Sequence, residues 1–322
     1  MSHPTRISTA AACVLASAAC LGPVWLCACD SKPSPPPTNP SPVPTPTLTQ
    51  PPVQPPVQPS GTVENSSTPN ATASALDGRT FRPSVNGFHF INSFSGSAAP
   101  PALREANGGL LGLIKGATEA SVGDRFGLCG GMSASAADYF LAGRTPPSTR
   151  DVPAEDSTLR NYLFERQVES LGALGLMAAK FVERMALPDV STRVDGRWTD
   201  SAAARTTPEL EPILARLDRG ELTPLGLVHV RAGAGNAIWE NHQVLAYAYE
   251  SGDGVLTLRV YDPNAPLDDG AVVRLMREGE PGAPEQWRGV LEYGHQADGR
   301  MKRRPVRTLF AMPYTPKLPP TE

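Results

Sequence analysis

The sequence predicts an α+β domain in which helices come first along the chain and antiparallel strands come later. In the first half, apolar residues recur at helical spacing, and the segments end at glycine or are interrupted by it. In the second half, short runs of β-branched and aromatic residues are separated by turn residues. The predicted helices cover residues 129–143, 157–185 and 207–220, and the predicted strands cover residues 225–230, 242–250, 255–261, 271–276, 289–293 and 306–312.

Composition limits the chain to one ordinary folded domain. Of its 322 residues 35 are prolines, and because 13 of them lie within residues 33–59 the length overstates the folded part. The net charge is −3, and the Lys and Arg residues are scattered rather than clustered. We therefore expect no nucleic-acid partner.

Residues 1–28 are predicted to be a signal peptide. His3 and Arg6 precede a long uncharged apolar stretch, which is too weak for a permanent membrane span. The stretch ends in Leu26-Cys27-Ala28-Cys29, which resembles the bacterial lipobox and predicts that Cys29 is lipidated. The protein would then be exported and anchored by its N-terminal lipid on the outer face of a bacterial membrane. The alternative is ordinary cleavage near Ala19 and secretion.

Residues 29–75 are predicted to form the lipidated N-terminus and a disordered stalk. About every second residue from 33 to 59 is proline, which favours extended polyproline II and reaches roughly 80 Å. The folded domain is therefore expected to span residues 76–322.

Cys129 is the only cysteine expected in that folded domain, so it has no disulfide partner. Most such cysteines are small buried hydrophobic residues. Here, however, Gly127, Gly130 and Gly131 surround the thiol, and a helical pattern follows up to Gly143. The N-H groups and dipole at a helix N-terminus favour the thiolate, so Cys129 is also a candidate nucleophile.

His242 is the best candidate for a base that would activate the thiol. It opens the segment NHQVLAYAYESGDGVLTLRVYDPN, whose pattern predicts a β-hairpin with its turn within residues 251–254. Folding the hairpin about Gly252 would place His242 opposite Asp262. A carboxylate would then hold the imidazole ring.

Three segments in this order resemble the papain-like cysteine peptidases. NHQVLAYAYE is similar to the histidine strand of papain-type enzymes, and LCGGM and YDPN resemble the bacteriocin-leader peptidase group of that fold. The resemblance covers some forty residues. It implies the papain-like fold, with Cys129 as nucleophile, His242 as general base and acid, and Asp262 as the orienting carboxylate.

One feature of that family is missing from this chain. Its members usually carry a glutamine about six residues before the cysteine as an oxyanion donor, whereas this segment reads SVGDRFGLC. We expect Asn92, in NGFHFINSF, to supply that donor, and the alternative is that Asn92 caps a loop. Asn241 and Asn264 flank the histidine and the aspartate and are candidates for orienting the ring.

No metal or cofactor is expected. His89 and His295 lack acidic or cysteine companions at metal-ligand spacing, and His229 reads as one face of a strand. The glycines of GAGNAIWENH do not follow the strand-to-helix pattern of a phosphate loop. Trp239, in the same segment, is expected to border the cleft, and the alternative is that it covers the core.

Three functions fit these residues. The first is a thiol hydrolase that cleaves peptide or isopeptide bonds through a thioester. The second is an acyl transferase or deamidase of transglutaminase type with the same three residues, and the third is a surface-binding lipoprotein without turnover. An open cleft at Cys129 would favour the first two. The sequence indicates a peptide or protein substrate but neither its identity nor the oligomeric state.

Overall fold

The computed structural model describes residues 70–73, 75–76, 79–96, 125–172, 175–233, 238–279, 281–295 and 299–321. The predicted signal peptide, Cys29 and the proline-rich stretch lie outside the described residues. Within the described part of the chain, no helix is both long and apolar enough to cross a membrane.

The helices of the domain lie mainly in its first half, as the periodicity predicts. The helix expected over residues 157–185 is divided in two, because Gly172 and Gly175 adopt positive φ angles of 74° and 72° that a continuous helix cannot accommodate. The helices are α1 (Pro83–Asn86), α2 (Cys129–Leu141), α3 (Thr158–Ser170), α4 (Leu176–Ala186) and α5 (Thr207–Asp218).

The strands lie mainly in the second half. They are β1 (Asn70–Ala73), β2 (Ala75–Leu76), β3 (Arg79–Thr80), β4 (Phe94–Ser95), β5 (Arg125–Phe126), β6 (Thr192–Val194), β7 (Arg197–Thr199), β8 (Thr223–Val228), β9 (His242–Gly252), β10 (Val255–Tyr261), β11 (Val272–Glu278), β12 (Gln286–His295), β13 (Met301–Val306) and β14 (Thr308–Ala311). Helices followed by an antiparallel sheet make the domain α+β, as predicted.

The main sheet is strongly curled. Its strand order is β13, β12, β11, β10, β9, β8, β14, and all neighbouring strands are antiparallel. Only Arg307 separates the end of β13 from the start of β14, although these strands stand at opposite ends of the order. A link of one residue spans only about 7 Å between flanking Cα atoms, so the two edges of the sheet must approach each other.

The sheet also includes residues that precede the expected start of the domain. Strand β1 pairs antiparallel with β9, with Asn70 opposite Ser251 and Ala73 opposite Ala248. Four residues that the sequence assigns to the stalk therefore pair with the strand that His242 begins.

The β9–β10 hairpin has a different register from the one predicted. The turn residues are Asp253 and Gly254, both with positive φ, rather than a fold about Gly252. A bulge between Arg259 and Val260 shifts the pairing, after which Leu245 lies opposite Tyr261. His242 is thus diagonal to Asp262 rather than directly opposite it, and side chains on diagonal positions still share a face and reach each other.

Helix α2 lies in the interior of the domain, and its small residues make this possible. Every residue from Gly130 to Phe140 is buried. A Cβ on Gly131 would lie 2.0 Å from the carbonyl oxygen of Leu163, and one on Gly130 would lie 2.5 Å from the side chains of Gln243 and Ser170. The two glycines after Cys129 therefore let α3 and β9 approach the start of α2.

A buried ion pair fixes the other end of α2. Asp138 is fully buried, and its Oδ2 lies 2.8 Å from Nε of Arg166 on α3. The carboxylate also accepts hydrogen bonds from the hydroxyls of Tyr162 and Tyr314 and from the backbone N-H of Lys317. These contacts join α2, α3 and the C-terminal segment, so α2 is held at both ends.

Replacing Gly131 with alanine is expected to lower the free energy of unfolding by about 1–3 kcal/mol, because the added methyl group overlaps backbone atoms that cannot move away alone. Chemical denaturation of the full chain measures this difference. Gly252→Ala is the matched control, since a Cβ there meets no atom within 4 Å. If both variants lost the same free energy of unfolding, α3 would have to lie farther from Gly131 than the structure places it.

Candidate active site

Three elements place Cys129, His242 and Asp262 at one point. Cys129 is the first residue of α2, His242 is the first residue of β9, and Asp262 directly follows β10. Helix α2 packs against β9, which brings the thiol to the end of the hairpin where the other two side chains lie. The structure thus brings together the three residues that the sequence predicted as a set.

A short hydrogen bond joins His242 to Asp262. Nε2 of the histidine lies 2.7 Å from Oδ1 of the aspartate, and the side chains are 4% and 0% exposed. Since the carboxylate accepts, Nε2 carries the proton, which leaves Nδ1 as the ring nitrogen available to the thiol. Cys129, whose side chain is only partly buried, lines the same cleft as His242 and is close enough to help raise the pKa of that histidine.

The surroundings of His242 favour its charged form. Burial by itself would lower the pKa of His242, but the charge and hydrogen bond of Asp262, together with Cys129, raise the pKa above its ordinary value. The imidazolium is therefore retained at neutral pH. Asp262 stabilises this imidazolium, whose positive charge would in turn favour negative charge on the sulfur of Cys129.

Asn264 contacts both His242 and Asp262, whereas the side chain of Asn241 forms its hydrogen bonds with other residues. The backbone N-H of Asn264 donates to Oδ1 of Asp262 at 2.8 Å, and its side-chain Nδ2 lies 3.3 Å from Nε2 of His242. Asn241 instead accepts from the backbone N-H of His229 and donates to the carbonyl of Ile238. Asn264 therefore steadies the aspartate, and Asn241 holds the chain before β9.

Asn92 lies in the site and bridges its two sides. Its Oδ1 accepts from the backbone N-H of Leu128 at 2.6 Å, and its Nδ2 donates to Oδ1 of Asn264 at 3.1 Å. Its own backbone N-H donates to the carbonyl of Pro263 at 3.0 Å. The loop-cap interpretation is thus part of what Asn92 does, because Leu128 immediately precedes Cys129. The second N-H of Nδ2 is left for the cleft that Asn92 lines.

The first turn of α2 contributes backbone donors. The first N-H groups of any helix have no intrahelical acceptor. Gly131 N-H donates to Oε1 of Gln167 at 3.0 Å, and the N-H of Met132 donates to Leu128. The N-H groups of Cys129 and Gly130 stand beside the thiol at the same helix end.

Cys129 opens onto a cleft of about 290 Å³, which we call the active-site cleft. One wall is largely apolar, and Trp239, which is 41% exposed, borders the cleft as predicted. The lining residues are Asn92, Phe126, Gly127, Cys129, Gln167, Leu171, Ala178, Phe181, Ile238, Trp239, Glu240, Asn241, His242, Gln243, Asn264 and Arg304. A pocket of this size and composition suits part of a peptide chain.

Gln167, Gln243 and Arg304 are cleft residues that the sequence did not reveal. Gln243 directly follows His242 and precedes the largely apolar run from Val244 to Tyr249, which is a weak signal of a site. Gln167 and Arg304 come from α3 and β13, and no motif surrounds them.

His229 packs beside the catalytic candidates but is not part of the cleft lining. Its ring stacks on that of His242 with 6.5 Å between centroids, and its Nδ1-H donates to the carbonyl of Pro305 at 2.6 Å. Burial, together with the positive charge of Arg304, lowers the pKa of His229 to about 3. His229 is therefore neutral at physiological pH.

The described side chains contain no group of three or more His, Cys, Asp or Glu placed to hold a metal ion. His89 does not line the cleft. The side chain of His295 lies outside the described part of the structure.

Comparison with family models, curated proteins and solved structures found no match to this chain, so the site is interpreted from its own geometry.

Proposed function

We propose that this protein is a thiol hydrolase of papain-like fold that cleaves peptide or isopeptide bonds. The observation that carries the proposal is the position of Cys129. It lies at the start of a buried helix and lines one cleft with His242, which Asp262 holds from behind at 2.7 Å. A nucleophile, a base and a group that orients the base are the parts that covalent catalysis requires.

The acylation step uses the two nitrogens of His242 differently. The proton of the Cys129 thiol is held on Nδ1 of His242 as the imidazolium, and the sulfur attacks the substrate carbonyl carbon to form a tetrahedral intermediate. Asp262 keeps the proton on Nε2 and stabilises the imidazolium. When the intermediate collapses, the imidazolium gives its Nδ1 proton to the leaving amine and a thioester remains on Cys129.

Water then completes the reaction. His242 removes a proton from a water molecule, the resulting hydroxide attacks the thioester carbonyl, and Cys129 leaves with a proton returned by His242. In both steps negative charge develops on the carbonyl oxygen. The backbone N-H of Cys129 and the free Nδ2-H of Asn92 are the donors that we assign to this oxygen.

The open cleft favours an enzyme over a binding protein, because Cys129 lies among residues that line it rather than in a closed core. A hydrolase and an acyl transferase differ in whether water or an amine attacks the thioester. We favour water because no described feature provides a separate amine site.

Profiling of products tests the function. Full-length protein is incubated with a mixed peptide library, with and without glycine amide as an added amine, and mass spectrometry identifies the products. New peptide N-termini indicate hydrolysis, peptides joined to glycine amide indicate transfer, and a gain of 1 Da at glutamine indicates deamidation. If the protein binds peptides of the library but forms none of these three product types, the binding alternative is supported and our proposal is overturned.

Replacing Asp262 with asparagine is expected to lower kcat by roughly 10²- to 10⁴-fold while Cys129 remains reactive toward a small alkylating agent. The amide keeps the packing but no longer requires the proton on Nε2 and no longer balances the imidazolium charge. The rate of peptide cleavage and the rate of iodoacetamide alkylation are measured on the same protein. Asp269→Asn is the control, because Asp269 is partly exposed and accepts a hydrogen bond from the backbone N-H of Ser84. Unchanged kcat in Asp262→Asn would shift the orienting role to Asn264.

A further inference from the structure

Arg304 is a basic side chain that lines the active-site cleft. It belongs to β13, is partly buried, and lies with Trp239 and Glu240 along the cleft. Its Nη2 donates to the backbone carbonyl of Glu240 at 2.6 Å, which fixes the position of the guanidinium group. A guanidinium has five N-H donors, so this bond leaves others free for a ligand.

The neighbouring arginines are paired with carboxylates and Arg304 is not. Arg303 lies 3.0 Å from Glu292, and Arg307 lies 2.7 Å from Asp189. Among the described residues no ion pair joins Arg304 to a carboxylate, and this includes Glu240, whose backbone it binds. Withdrawing an unpaired cation from water has a cost in free energy, which a negatively charged ligand in the cleft would offset.

The charge of Arg304 lies close to the catalytic residues. Pro305, the next residue on β13, accepts the hydrogen bond from His229, and the ring of His229 stacks on His242. Burial lowers the pKa of His229 most, and the positive charge of Arg304 lowers it further, as expected for a guanidinium group near this ring. Arg304 and Cys129 line the same cleft of about 290 Å³, so a substrate group that follows the reacting carbonyl by one or two residues of extended peptide, at about 3.5 Å each, would fit between them.

We propose that Arg304 binds a carboxylate of the substrate, so that the preferred substrates carry an acidic side chain or a free C-terminus one or two residues from the bond that Cys129 attacks. The inference rests on the proposed function, because it assigns the substrate class of that same site. Carboxylates fit a guanidinium group better than other acceptors, since both groups are planar and form paired charge-assisted hydrogen bonds.

Matched alkylating reagents test this inference on the full-length protein. Each reagent is an iodoacetyl peptide with no or one glycine before its last residue. That last residue is glutamate amide, glutamine amide or glutamine with a free carboxylate. Peptide mapping measures the rate of alkylation at Cys129, and each rate is divided by the rate with iodoacetamide, which corrects for changes in thiol reactivity.

With the wild type, at least one acidic reagent is expected to react about five- to tenfold faster than the neutral reagent of the same length. Arg304→Gln should bring the ratio close to one, Arg304→Glu should reverse the preference, and Arg304→Lys should keep part of it. The better acidic reagent shows whether a side chain or a C-terminal carboxylate is bound. Arg303→Gln is the matched control and should leave the ratio unchanged, because Arg303 pairs with Glu292 outside the cleft lining.

The outcomes separate this inference from the function on which it rests. Equal rates for acidic and neutral reagents in the wild type, or the same preference in Arg304→Gln, would overturn the carboxylate site while leaving the nucleophile in place. Native protein whose Cys129 reacts with none of the reagents, iodoacetamide included, would overturn the proposed hydrolase and the carboxylate site together.

Discussion

Replacing Cys129 with alanine is expected to lower the turnover of peptide substrates by roughly 10⁵-fold or more, to the level of residual catalysis by binding and oxyanion donors. The thiol is the only described cysteine, and no other nucleophilic side chain lies beside His242 in the cleft lining. The side chain is small and only partly buried, so its removal should change the stability of the fold by little. The cleavage rate of a library-derived peptide and the thermal unfolding of both proteins measure these two effects.

A second cysteine provides the matched control for this loss. Cys29→Ala removes the thiol that is predicted to carry the lipid and should leave peptide cleavage in detergent unchanged. Cys129→Ser is expected to be nearly as inactive as Cys129→Ala, because a hydroxyl beside an imidazolium is a far weaker nucleophile than a thiolate. Cleavage by Cys129→Ala at the wild-type rate would remove the thiol mechanism altogether.

The elements that contain the candidate site were predictable because their signals are local. Glycine at the end of α2 and the Asp253-Gly254 turn both adopt positive φ, which few other residues tolerate. Apolar spacing then defines the segments between such residues. The same logic shows why residues 157–185 form two helices, since Gly172 and Gly175 lie between the end of α3 and the start of α4.

The contact between His242 and Asp262 was predicted correctly even though the hairpin register was not. The turn lies later than expected and a bulge intervenes, which together move Asp262 along the partner strand by two residues. Side chains alternate with a period of two, so such a shift leaves both residues on the same face of the sheet. A shift of one residue would have placed them on opposite faces and separated them.

The remaining parts of the site depend on contacts between distant segments. Gln167 reaches the cleft only because Gly131 lets α3 approach α2, and Arg304 reaches it because the sheet curls until β13 lies near the start of β9. Neither effect leaves a pattern in the local sequence. Residues 306–312 were expected as one strand but belong to two, because the chain leaves β13 at Val306 and, after Arg307 alone, begins β14 at the other end of the strand order.

His242→Ala is expected to lower the rate of Cys129 alkylation at pH 6 by about a hundredfold. The pKa of His242 is raised, mainly by Asp262 acting against the effect of burial, so the imidazolium is present below that raised pKa and is lost as the pH rises through it. In the wild type this imidazolium lines the cleft with Cys129, so iodoacetamide is expected to react with Cys129 from mildly acidic pH through the neutral range. Without the imidazolium, reactivity should rise only at alkaline pH, as it does for a free cysteine.

The measurement is the alkylation rate of Cys129 as a function of pH, determined by peptide mapping of native full-length protein. His89→Ala is the matched control, because His89 does not line the cleft and its loss should leave the profile unchanged. His229→Ala should keep a reactive thiol in mild acid, since neutral His229 stabilises no thiolate charge. A wild-type thiol that resists labelling until the protein is denatured would identify Cys129 as a packed side chain. Identical pH profiles for wild type and His242→Ala would show a reactive thiol that does not depend on His242. Either of these two results would contradict the proposed pair of Cys129 and His242.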